Sequence, residues 1–197
     1  RVLRIPGRPP QEYLKRIIDE KRADPPLLKL FLRFYPDQAE ACGLRLGENC
    51  FDAEYSSTAI EALVASGSPH AGRVLEAMYA PANDFIRSEI INAVGRLADP
   101  DTGFLASVAR TGSHTLKKQA LRILLGYPGV VETALNVFLP PPDPWARNNA
   151  LLQENLGIIG ELGLPVAAEH VRYLHRSIPV WNFPLRLQAQ RTLEKLR

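Results

Sequence analysis

A helical pattern that returns every 30 to 35 residues constrains this chain more than any other feature. Ala59-Ile60-Glu61-Ala62-Leu63 runs to a corner at Ser68-Pro69, and Ile90-Ile91-Asn92-Ala93-Val94 runs to one at Asp99-Pro100, with the apolar positions matched at an offset of 31. Past the corner, Gly72, Val74, Leu75, Ala77 and Met78 fall on Gly103, Leu105, Ala106, Val108 and Ala109. The stretch 116–126 matches 86–96 at an offset of 30, and further copies run from Leu151 to Leu162 and from Leu185 to Leu196. A two-helix unit of this size cannot bury its apolar face alone, so neighbours must stack and the ends need caps.

Everything else in the chain agrees with helices. Period-two alternation never lasts more than a few residues, and β-branched side chains do not cluster as they do in strands. The fold class is therefore all-α. With 46% hydrophobic and 23% charged residues, the 197-residue chain can build a core and is neither a disordered polyelectrolyte nor a disulfide-dense miniprotein. Its apolar runs fall short of the ~20 residues that span a bilayer.

Ahead of the repeats the pattern differs. Residues 1–10, RVLRIPGRPP, read as an extended arm because three prolines and a glycine exclude regular helix. Amphipathic spacing predicts a helix over 11–23, Asp24-Pro25-Pro26 starts a second that is apolar on most sides through Tyr35, and a third is predicted from Gln38 to Cys42. The expected organisation is an arm and helical cap over 1–52 and a repeat solenoid over 53–197. Cys42 and Cys50 match neither a zinc set nor a C-x-x-C pair; they would be reduced in the cytoplasm, the favoured compartment, and a disulfide between them would indicate the periplasm. The chain begins at Arg1 rather than Met, so it reads as a processed protein or a piece of one, with no signal segment to interpret.

The repeats resemble the HEAT-like repeats of bacterial proteins, in particular the short type associated with phycobilisome lyases. Arg87 with Ala93, Gly95, Leu97, Asp99 and Pro100 is the best copy of that motif: an apolar-Arg start, a small residue near mid-helix, then Gly-x-Leu and Asp-Pro. The resemblance covers residues 57–197 and implies a right-handed α-α superhelix whose second helices line a concave face. It also implies that Arg87, Lys117 and Arg186, which open second helices, tie neighbouring repeats together through a corner Asp such as Asp99. The corner becomes Tyr127-Pro128-Gly129 in one copy and Leu164-Pro165 in another. Leu139-Pro140-Pro141-Pro142-Asp143-Pro144-Trp145 interrupts the stacking, so an irregular solenoid is expected. Ala93, Ala120 and Ala189 are expected to let adjacent helices approach closely.

Catalytic chemistry finds little footing. The four histidines, His70, His114, His170 and His175, lack metal-ligand spacing, and no Ser, Thr or Cys sits in a nucleophile motif. Asp99-Pro100-Asp101 reads as a helix cap rather than a carboxylate pair, and Gly157-x-x-Gly160-x-x-Gly163 as close helix packing rather than a phosphate loop. No catalytic, cofactor or metal residue is assigned, and the lyase-type enzyme implied by the resemblance is the third reading. The leading one is a non-catalytic scaffold that binds a protein on the concave face. The second is nucleic-acid binding through basic residues, as in HEAT-like DNA glycosylases. Residues 113–197 carry 10 basic and 6 acidic side chains, a surplus that hints weakly at an acidic partner. Candidate partner-binding residues are Arg96, Arg122, Trp145, Arg147, Trp181 and Arg191. Arginine suits carboxylate, phosphate and protein hot spots alike. Each tryptophan sits in a proline-bounded loop, where it either anchors the loop to the core, the expected state, or stands exposed for a partner.

Overall fold

The computed structural model describes residues 53–143 and 145–196, together with Glu12, Arg16, Tyr35, Gln38 and Ala41. The arm, the three helices predicted before residue 50 and both cysteines lie outside the described residues apart from those five positions. Among the described residues the protein is all-α, with nine α-helices. They belong to two compact units, 1–101 and 102–197.

The first unit holds α1 (Ala53–Ser66), α2 (Ala71–Tyr79) and α3 (Asp84–Val94). α1 ends where Gly67 takes a positive φ of 60°, which costs glycine nothing, while the Ser66 hydroxyl donates to the Leu63 carbonyl at 2.6 Å. α3 begins at Asn83, whose side-chain oxygen accepts from the Ile86 N–H at 3.0 Å, and Asp84 adds negative charge at the positive end of the helix. α1 and α3 lie against each other and α2 packs on both. The core between them contains Ala59, Leu63, Leu75, Ile86, Ile90, Ile91 and the fully buried Ala93.

The second unit holds α4 (Thr102–Thr111), α5 (His114–Leu124), α6 (Val131–Phe138), α7 (Asn149–Leu162), a 3₁₀ turn at Pro165–Ala167, α8 (Ala168–Ser177) and α9 (Phe183–Lys195). α5 packs on α7 and α7 on α9, while α4 lies on α5, α6 on α4, and α8 on α9. Within this unit α5, α7 and α9, the expected second helices, are thus successive neighbours. The expected close approach is present: Ala120 and Ala189 are fully buried, and a side chain added at Gly160 would meet Thr192 and Lys195 of α9 at 3.2 to 3.7 Å. Gly163, at φ 61°, ends α7 in the left-handed conformation.

The proline insertion shifts the register. Ser57 reaches Glu89 across α1 and α3 over 32 residues of sequence, and α7 and α9 are bonded over 33 and 36. Between α5 and α7 the separations rise to 37, 43 and 47, the two longest because His114 and Lys118 near the start of α5 both meet Glu161 close to the C-terminal end of α7. Asn155 repairs the break. It stands where the matched helices have Ile90, Ala120 and Ala189, and its buried amide donates to the Phe138 carbonyl at the end of α6.

Candidate functional site

The arginines that open second helices are structural, but not through a corner Asp. Arg87 donates from Nη2 to the Ala80 carbonyl at 2.9 Å and from Nε to the Tyr79 carbonyl at 3.2 Å. These are orphan acceptors at the end of α2, where a cation also meets the negative end of the helix dipole. The guanidinium stands 5.2 Å from the Tyr79 ring centre and 3.5 Å from Asp84. Arg186 repeats the device, donating to the Ile178 carbonyl at the end of α8 at 3.4 Å. Both reach a carbonyl eight residues back, so Asp99, exposed at its corner, is not the acceptor for either. Lys117 takes a third route, pairing with both Glu154 oxygens of α7 at 3.0 and 3.1 Å. Beside it Lys118 holds Glu161 at 2.7 Å with His114 at 3.4 Å, and these two hydrogen bonds lower the Glu161 pKa. The remaining histidines do not gather: His70 is exposed before α2, His170 faces the Leu139 carbonyl at 3.4 Å, and His175 is half-buried in α8.

Of the predicted partner-binding residues, Arg96 lies in the first unit, exposed just beyond α3. Arg122 in α5 and Arg191 in α9 are exposed in the second. Trp145 and Arg147 precede the head of α7 and Trp181 precedes the head of α9, at one joined edge of the second unit. Trp145 projects from the insertion between α6 and α7, and Trp181 from the corner between α8 and α9. The two corners are joined where the Asn182 side-chain amide donates to the Asn149 side-chain oxygen at 2.9 Å.

Anchoring of the tryptophans is the expectation that fails. Trp145 is 81% exposed and Trp181 78%. The loops hold themselves with polar groups instead, so the indoles are not needed as anchors. Asp143 accepts the Trp145 N–H on Oδ1 at 2.7 Å and the Arg147 Nε on Oδ2 at 2.8 Å. The first bond, then the guanidinium, lowers its pKa. The Asp143 N–H donates to Asn148 at 2.9 Å, and the Asn148 amide donates to the Pro141 carbonyl at 3.0 Å. Ala146 closes the turn at φ 60°, which an alanine occupies only at a cost of about 1 kcal/mol or more.

Sequence reasoning missed the rest of the edge. Val180 and Phe183 flank Trp181 and Asn182, and both are exposed. The asparagines at the heads of α7 and α9 were the available signal. Such an edge offers aromatic area and cations, the residue types that dominate the energetics of recognition surfaces. No family model, curated protein or solved structure matches this chain.

Proposed function

We propose that this protein is an interaction module, a HEAT-like α-solenoid that binds a protein partner without catalysis, and that the Trp145–Trp181 edge is the centre of the contact. One observation carries the reading: two tryptophans stand almost wholly in water on loops fixed by hydrogen bonds and by a strained turn. Isolated exposed apolar residues are ordinary, but aromatics gathered on one ordered edge mark an interaction site. Tryptophan and arginine dominate the energetics of protein interfaces, and a fixed loop loses little freedom on binding. The edge displaces the second-helix face as the primary contact, with Arg122 and Arg191 outside its centre.

The test is capture of partners from the source lysate by the full chain, with and without nuclease, followed by binding of the purified candidate. The reading expects a protein that is retained after nuclease and whose affinity falls about 30-fold with W145A/W181A, the loss of about 2 kcal/mol that defines a hot spot. Capture that depends on nucleic acid, or an affinity unchanged by the double substitution, overturns it.

A further inference from the structure

We infer that the Trp145–Trp181 edge takes an acidic segment of a partner protein that carries apolar side chains between its carboxylates. The inference rests on the interaction-module reading and adds the partner's chemistry. Charge supplies the argument. From 170 to 193 the chain has no Asp or Glu but has Arg172, Arg176, Arg186 and Arg191, and from 133 to 153 its one acid is Asp143. Asp143 is already engaged by Arg147 and the Trp145 N–H. Elsewhere in the second unit acids do face cations, as in Lys117–Glu154 and Lys118–Glu161. Among the described residues, the edge therefore displays aromatic surface within a field of net positive charge. Arg172 and Arg176 are exposed on α8, one turn apart, and Arg176 lies in the last turn before the Trp181 corner.

The same residue types would suit an anionic bilayer, where Trp and Tyr settle at the interface. Two observations favour a peptide. The Asp143–Arg147 pair lies two residues to either side of Trp145, so inserting this indole among acyl chains would drag an ion pair into a medium that penalises charge. The loop is also fixed in one conformation, an arrangement that improves affinity for a shaped partner and gains nothing against a fluid surface.

The experiment selects random peptides displayed on phage against the full chain and, in parallel, against W145A/W181A. Peptides held by the natural chain and not by the variant are expected to be richer in Asp and Glu than in Lys and Arg, with Leu, Phe, Trp or Pro among them. A purified example should bind about 30-fold more weakly to W145A/W181A and about tenfold more weakly to R172E/R176E, and should weaken as salt rises. Tryptophan-dependent peptides that are neutral or basic would overturn the acidic assignment and leave the interaction module standing. Equal retention by both chains would overturn both. Tryptophan-dependent sedimentation with phosphatidylserine vesicles, without any tryptophan-dependent peptide, would replace the peptide with a bilayer.

Discussion

Asn182 donates its side-chain amide to Asn149 at 2.9 Å, and through that bond the corner bearing Trp181 is tied to the head of α7, four residues after Trp145. Asn182 is buried, so its amide has little recourse to water when the partner is lost. Replacing Asn149 with Ala should cost about 1 kcal/mol in urea unfolding. It should also weaken partner binding with both tryptophans still present. Unchanged binding would show that the two corners act separately.

Ala146 gives the Trp145 loop its sharpest test. At φ 60° glycine is unstrained and a β-branched residue is badly placed, so stability should fall in the order Gly, Ala, Val, with Ala146→Val losing about 1 to 2 kcal/mol. A valine variant as stable as the natural chain would mean that the turn is not held in this conformation.

Arg87 closes the end of α2 by donating to two carbonyls. Arg87→Ala should lower stability by about 1 to 2 kcal/mol, and Arg87→Lys should recover only part of it, since one ammonium cannot reproduce the planar fork. Asp99→Ala should leave the melt nearly unchanged. The reverse ranking would restore the corner Asp as the partner of Arg87.

Close packing can be probed at two buried positions. Ala93→Leu and Gly160→Leu each insert a side chain into filled space and should cost about 1 to 3 kcal/mol, several degrees in the thermal midpoint. Gly160→Ala should be far milder, because the nearest atom is a methylene of the flexible Lys195 side chain.

Acid should loosen the contact between α5 and α7. Hydrogen bonds from Lys118 and His114 lower the Glu161 pKa in the folded protein, so the folded state holds the carboxylate charged more readily than the unfolded state does. The resulting stability is fully present above the ordinary glutamate range and is lost as pH falls through the lowered folded value. Chemical unfolding followed below neutrality should show this dependence diminished in Glu161→Gln. An identical profile for both chains would contradict it.

How much of this was written in the sequence differs from residue to residue. The helices were legible because Ile90, Ala93, Ala120 and Leu121 recur at helical spacing on faces that the core buries. The role of Arg87 was legible as structural, yet its acceptor was not. A carbonyl eight residues back becomes the obvious partner only when the end of α2 is known to lie between. Asn155 sits in an otherwise apolar column, and its reason, the orphaned Phe138 carbonyl, arises only from the broken stacking at the insertion. The tryptophans were misread because proline-bounded loops do not reveal whether polar side chains already hold them. Here Asp143, Asn148 and Asn182 do so, and the indoles are left in water.

That last point is open to a direct measurement. Trp145 and Trp181 are the only tryptophans in the chain, so its indole fluorescence reports on this edge alone. The folded protein should emit at the wavelength of water-exposed indole, and acrylamide should quench it as one fully accessible population. Addition of the partner should shift the emission to the blue and protect it. Blue-shifted, protected emission from the free protein would mean that the tryptophans anchor their loops to the core, and the edge would not be a binding site.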